Sequence, residues 1–138
     1  MRPFLVPVLL VLSVPLAAQA CRCVPPTPKV AYQRATVVVE AEVTSVSVAD
    51  ADGAITAVLQ VVHAWKSAVP QTVTVHTGAE CTFPLTTGKQ YVLFLKQGRS
   101  GWFYTERCAG NEVSEESSEV KHWLEAHAHA VALLPPEK

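Results

Sequence analysis

Alternating apolar and polar positions through the middle of the chain predict β-strands rather than helices. The first two strands are long, at residues 36–48 and 55–65, and the turn residues 50–53 between them predict a hairpin. Three shorter strands are predicted at residues 72–76, 90–96 and 102–105.

Near the carboxyl end the apolar positions change from the period of a strand to that of a helix. Ser117 or Ser118 is placed to cap the start of this helix, and Pro135 with Pro136 to end it. Its predicted apolar face consists of Val120, Trp123, Leu124, Val131 and Leu134. The pattern therefore predicts a mainly β fold, a small closed barrel with a carboxy-terminal α-helix, and the five-stranded OB-fold barrel is one such arrangement.

Residues 1–20 have the pattern of a secretory signal peptide. Arg2 precedes the uncharged run of residues 4–16, and Ala18-Gln19-Ala20 is a small-x-small cleavage pattern. Cleavage there leaves one domain, residues 21–138, in a secreted, extracellular protein. A cysteine at that terminus raises an alternative, a periplasmic or envelope protein that is lipid-anchored at Cys21.

Four cysteines in an exported chain predict two disulfides. A bond between Cys21 and Cys23 would close a small strained ring, so each is expected to pair with Cys81 or Cys108. The residues alone leave the pairing open. Either pairing fastens the amino terminus at two places, and each long crosslink contributes roughly 3 to 5 kcal/mol.

Charge and motifs favour a binding protein over an enzyme. The formal net charge is −1 and neither sign is clustered, which argues against nucleic acid or an anionic membrane as a partner. The chain has no Gly-x-Ser-x-Gly elbow, its histidines lack metal-site spacing, and residues 50–53 lack the other ligands of a calcium loop. We therefore predict a non-enzymatic monomer without a cofactor.

The aromatic residues lack the basic stripe that accompanies single-strand binding, so oligonucleotide binding is the least favoured hypothesis. Core packing is the predicted role of Trp65, Tyr91, Phe94, Trp102, Phe103 and Tyr104.

The predicted mature chain opens with Cys21-Arg22-Cys23-Val24-Pro25-Pro26-Thr27-Pro28. Further along, Trp65-Lys66, Cys81, Gly88-x-x-Tyr91 and Cys108 follow in the same order as in a known family. Together these residues resemble the tissue inhibitors of metalloproteinases (TIMPs), whose inhibitory part is a netrin-like OB-fold module. The resemblance covers essentially the whole predicted mature chain.

The resemblance implies a mechanism as well as a fold. It implies that Cys21 pairs with Cys81 and Cys23 with Cys108, and that the partner is a zinc metalloendopeptidase. The α-amine and carbonyl oxygen of Cys21 would chelate the catalytic zinc of that protease, and Arg22 would enter its substrate pocket. The residues implied to contact the protease are Arg22, Cys23, Val24, Pro25, Pro26, Gly78, Ala79, Glu80 and Cys81.

The chain also departs from the TIMP pattern. Gln33 stands where those inhibitors have a further cysteine, their second, carboxy-terminal disulfide domain has no counterpart, and Arg22 replaces a small residue. The position of Arg22 leaves the target protease open. The alternative function is a netrin-like adhesion or envelope module whose disulfides are only structural.

Overall fold

The computed structural model describes residues 21–48, 53–78, 80–98, 100–116 and 118–136. The predicted signal peptide, most of the predicted turn at residues 50–53, Ala79 and the possible cap Ser117 lie outside the described residues.

Strands are the most abundant secondary structure in the described chain. The strands are β1 (Val37–Val48), β2 (Ile55–Lys66), β3 (Thr72–Thr77), β4 (Gln90–Gln97), β5 (Phe103–Thr105) and β6 (Glu112–Val113). The helical elements are α1 (Pro28–Arg34), the 3-10 turn η1 (Arg107–Ala109) and α2 (Glu119–His127). The first five strands confirm the five that the alternation pattern predicts, each end within one residue.

Strands β1 to β5 close into a barrel. They are hydrogen-bonded in the order β1-β2-β3-β5-β4, and β4 also pairs with β1, so that the ring has no free edge at that point. All pairs are antiparallel except β3 with β5, which is parallel. This mixed five-stranded barrel with its carboxy-terminal helix confirms the predicted OB-fold-like architecture.

The first part of strand β1, residues 37–41, is buried on both of its faces. Val37 and Val39 point into the barrel, where they join the main core cluster, whereas Val38 points outward. There Val38 lies in a second cluster with Ala31 of α1 and Leu124 of α2. Because helices cover the outer face here, β1 begins with the uninterrupted apolar run Val37-Val38-Val39.

Helix α2 is shorter than the pattern predicts. Its N-cap is Ser118, whose Oγ accepts a hydrogen bond from the backbone N–H of Lys121 at 3.1 Å, and the helix ends at His127. The prediction that Val131 and Leu134 continue the helical face is therefore wrong. These residues instead form isolated bridges to Ala64 and Pro70, because extended backbone brings their N–H groups to the barrel.

Helix α1 lies outside the predicted elements, although its start carries recognised signals. Thr27 accepts a hydrogen bond from the backbone N–H of Val30, and Pro28 occupies the first helical turn. Among the described residues, neither this helix nor α2 has the length and apolar character needed to cross a membrane.

Candidate functional site

Two disulfides fasten the start of the described chain to the barrel. Cys21 is bonded to Cys81 and Cys23 to Cys108, with a Cα–Cα distance of 5.5 Å in each pair. The bonds join residues that are 60 and 85 positions apart. The pairing agrees with the one that the TIMP resemblance implies.

The barrel topology explains why both disulfides lie at the same end of the molecule. Cys81 follows β3, and Cys108 lies in η1 directly after β5. Because β3 and β5 are parallel neighbours, the loops that follow them emerge side by side. The backbone N–H of Arg107 donates to the carbonyl oxygen of Cys81 at 2.9 Å, which ties the two loops together.

The sulfur atoms of the two disulfides form one cluster. The Sγ atoms of Cys21, Cys81 and Cys108 all lie within 4.8 Å of one another, and the three residues are half-buried. Within the part of the chain that the structure describes, no other set of three or more His, Cys, Asp or Glu side chains converges this closely. In the oxidised state each of these sulfurs belongs to a disulfide, Cys21 with Cys81 and Cys108 with Cys23, and none is a metal ligand.

Residues 21–26, called here the amino-terminal ridge, carry side chains that alternate between the protein and solvent. Cys21 and Cys23 are half-buried, whereas Arg22 between them is exposed and Val24 is 91% exposed. Pro25 and Pro26 follow and restrict the backbone, because the proline ring fixes φ. The ridge is thus an exposed edge that is held by covalent bonds on both sides of Arg22.

Gly110 allows η1 to pack closely behind the ridge. Its φ is +98°, and a Cβ at this position would lie 2.9 Å from the Cβ of Ala31 and 3.2 Å from Pro26. A side chain here would therefore be strained and would push Ala31 of α1 and Pro26 of the ridge outward.

The second segment of the implied contact surface lies beside the ridge. Gly78 and Glu80 are exposed, and Cys81 joins this segment to Cys21. The hydroxyl of Thr82 is 2.6 Å from the carbonyl oxygen of Gly78 and 3.2 Å from that of Gly53, which braces the segment. All implied contact residues except Ala79, which lies outside the described residues, therefore belong to two segments joined by a disulfide.

A pocket of about 560 Å³ opens next to the ridge. Its wall includes Pro26, Ala31, Phe94, Tyr104 and the disulfide residues Cys81 and Cys108. The charged residues that also line it are Arg34, Glu80, Lys96 and Glu106. This volume lies in the range of small-molecule sites. The sequence carries no signal for the pocket, because its walls come from four separate elements.

A buried carboxylate lies elsewhere, where α2 meets β1. Glu40 is 6% exposed, and its Oε1 accepts hydrogen bonds from Ser114 Oγ and from Lys121 Nζ, the latter at 2.9 Å. Burial raises the pKa of Glu40, but the bonds from Ser114 and Lys121 and the Lys121 charge outweigh it, so the pKa is lowered. The hydrogen bond to Glu40 raises the pKa of Lys121. This cluster attaches α2 to the barrel.

Two aromatic residues lie outside the core, which corrects the prediction made for them. Trp102 is 49% exposed and Tyr104 is 42% exposed, because both point outward from the end of the barrel around the buried Phe103. The ring of Trp102 stacks on His76 with centroids 4.1 Å apart. The other predicted core aromatics, Trp65, Tyr91, Phe94 and Phe103, are buried.

Compared with known proteins, the chain matches no family model and shows no significant similarity to a curated protein. The resemblance to the TIMPs therefore depends on the residues quoted above.

Proposed function

We propose that the protein is an exported inhibitor of zinc metalloendopeptidases that acts through a free amino terminus at Cys21. The observation that carries the proposal is the amino-terminal ridge, where disulfides at Cys21 and Cys23 hold the exposed Arg22 and Val24 in place. A terminus is normally the least ordered part of a domain. Two crosslinks within three residues can hold the amino-terminal ridge in a fixed conformation while its side chains remain exposed.

The α-amine of Cys21 is a suitable zinc ligand near neutral pH. Its reference pKa is about 7.7 to 8.0, far below that of lysine, so that zinc displaces its proton easily. A catalytic zinc keeps one coordination position open for water or substrate. The amine and the carbonyl oxygen of Cys21 would take that position and remove the water that attacks the substrate.

The ridge also lowers the cost of binding. Ordering a flexible segment at an interface consumes part of the binding free energy, and the disulfides and prolines have ordered this segment in advance. The inhibitor needs no cofactor of its own, because the metal belongs to the protease.

The charge of Arg22 limits which zinc metalloendopeptidases the protein would inhibit. Its side chain is exposed between two fastened residues, in the position that would enter the protease pocket beside the zinc. A guanidinium in an apolar pocket would lose its hydration without compensation. The target is therefore a zinc metalloendopeptidase that has a carboxylate in that pocket.

The experiment compares two oxidised proteins, one beginning at Cys21 and one with a single alanine before it. Both are titrated against a panel of zinc metalloendopeptidases that includes members with acidic and with apolar substrate pockets. Intact mass first establishes that Cys21 is neither lipidated nor extended. We expect the added residue to weaken inhibition by about 100-fold or more, because it removes the α-amine from the zinc.

A matched pair of variants tests the role of Arg22. Arg22→Ala is expected to weaken inhibition of proteases with acidic pockets, whereas Lys29→Ala, which removes an exposed cation from α1, is expected to leave it unchanged. If neither oxidised form inhibits any protease of the panel, the proposal fails. The chain is then better explained as a netrin-like module whose disulfides only brace the barrel.

A further inference from the structure

We propose that the four cysteines, once reduced, form a zinc-binding site at the end of the barrel. The proposal concerns a metal ion held by this chain itself. It does not rest on the proposed inhibition of a protease.

The sulfur atoms are already gathered at nearly the spacing that zinc requires. A tetrahedral site with Zn–S bonds of about 2.3 Å places its sulfurs about 3.8 Å apart. The Sγ atoms of Cys21, Cys81 and Cys108 lie within 4.8 Å of one another, and Cys23 is bonded to Cys108. Reduction allows the bonded pairs to separate to the required distance, and the other separations among these three sulfurs exceed it by no more than about 1 Å. Cys23, which lies outside this set of three, moves into the fourth position when its bond to Cys108 opens.

Two of the four ligands are positioned without any disulfide. The loops that carry Cys81 and Cys108 follow the parallel neighbours β3 and β5, and a backbone hydrogen bond from Arg107 to Cys81 joins them. Cys21 and Cys23 belong to a short segment that leads into α1, and the buried Ala31 packs this helix on the barrel. The barrel thus fixes the thiols of Cys81 and Cys108, and α1 keeps the thiols of Cys21 and Cys23 near them.

Charges of both signs lie next to the cysteines. Zinc with four thiolates has a net charge of −2, and cations close to it lower its energy. Arg22 lies between Cys21 and Cys23, and Arg107 directly precedes Cys108, whereas Glu80 directly before Cys81 has the opposite effect.

The chemistry balances when a dithiol is the reductant. Each protein disulfide accepts two electrons and two protons from one dithiol, which becomes a disulfide itself, and two protein thiols form. Binding of Zn²⁺ to the four thiols then releases four protons, since thiolates are the ligands. Thiolate sulfur is among the ligands that zinc prefers. The oxidation state of the cluster would thus decide whether the chain holds zinc.

The test is a cobalt titration of residues 21–138 under anaerobic conditions, before and after reduction with a phosphine. Tetrahedral Co²⁺ bound by thiolates has intense visible and charge-transfer bands. We expect these bands to saturate at one Co²⁺ per reduced chain, to disappear when Zn²⁺ is added, and to be missing from the oxidised protein. Reduced protein without these bands would overturn the proposal.

Two variants and a titration in denaturant distinguish a metal site formed by the fold from binding to unstructured cysteines. Cys108→Ser is expected to weaken Co²⁺ binding by roughly 10-fold or more, since loss of a ligand should cost at least as much as loss of its supporting group. His122→Ala, which removes an exposed imidazole on α2, is expected to leave the affinity unchanged.

The titration is repeated in guanidinium chloride, where we expect binding at least about 10-fold weaker, because the fold no longer gathers the sulfurs. Equal affinity in denaturant would refute the proposal. If reduction unfolds the barrel, Zn²⁺ should restore the circular dichroism of the oxidised protein, and failure to do so would equally refute it.

Discussion

The two ends of the described chain are fastened to the same barrel by opposite means. The amino-terminal ridge is held by two covalent bonds and buries little, as the 91% exposure of Val24 illustrates. The carboxyl end is held without covalent bonds. Leu124 of α2 is fully buried, and the backbone N–H groups of Val131 and Leu134 donate to the barrel at 2.7 and 2.9 Å.

The difference shows how the function of a segment constrains its anchoring. Burial stabilises a segment by about 25 cal/mol for each Å² of apolar surface removed from water, so a segment that must remain exposed gains little from it. A crosslink acts mainly on the unfolded chain and leaves the folded surface free. Covalent anchoring therefore suits an edge that binds a partner, and packing suits a helix that closes the fold.

The largest predicted effect on stability comes from removing one of the disulfides that fasten the amino-terminal ridge. Replacing one pair in the double variant Cys23→Ser/Cys108→Ser is expected to lower the free energy of unfolding by about 3 to 4 kcal/mol, because with Cys21–Cys81 intact the bond closes a loop of about 30 residues. Denaturant unfolding monitored by tryptophan fluorescence measures the change. A loss below about 1 kcal/mol would mean that packing alone already orders the amino terminus.

The next largest effect comes from truncating the buried side chain that packs α2 on the barrel. Leu124→Ala is expected to cost about 3 kcal/mol, because the truncated side chain leaves a cavity between α2 and the barrel. Glu125→Ala, the neighbouring exposed position, serves as a control and is expected to change stability by less than about 0.5 kcal/mol. Comparable losses for both variants would show that the helix itself, rather than its buried contact, determines stability.

The smallest effect comes from removing the ion pair between Glu40 and Lys121, and its size should depend on pH. Lys121→Met leaves Glu40 buried without its cation and is expected to cost about 2 kcal/mol at pH 7. Thermal unfolding of the variant and the parent across pH measures the difference between them.

The pKa shifts give the sign of that dependence. The pKa of Glu40 is lowered in the folded protein, so its contribution is present above the ordinary value of 4.5 and is lost as the pH falls through the folded pKa. The pKa of Lys121 is raised, so its contribution is present below the ordinary value of 10.5 and is lost as the pH rises through the folded pKa. The difference between parent and variant should therefore be largest at neutral pH. A difference that stays constant into acid would contradict this account.

Local patterns account for most of the fold. The strands follow from alternation because each has an inner and an outer face, and the cap at Ser118 follows from local chemistry. The end of α2 does not follow from periodicity. Val131 has the spacing of a helical residue, but the carbonyl of Ala64 offers its N–H a partner that only the folded barrel supplies.

The candidate site is less accessible from the sequence. The residues limit the disulfides to two pairings, but that Cys81 and Cys108 lie at one end of the barrel depends on the parallel contact of β3 with β5, which joins distant segments. The outward position of Trp102 and the pocket beside the ridge likewise depend on where the barrel ends. These features arise from tertiary structure and have no local signature.

The distances along the chain between bonded cysteines also set an order in time. In a chain that emerges amino end first, Cys21 and Cys23 appear 60 and 85 residues before their partners. At about 5 to 20 residues per second this delay lasts roughly 3 to 17 s. During that interval the partner cysteines of Cys21 and Cys23 have not yet been synthesised. Cys108 is added to the chain only after β5, the strand that completes the barrel. The second crosslink of the ridge therefore forms only on a chain whose five barrel strands are all present.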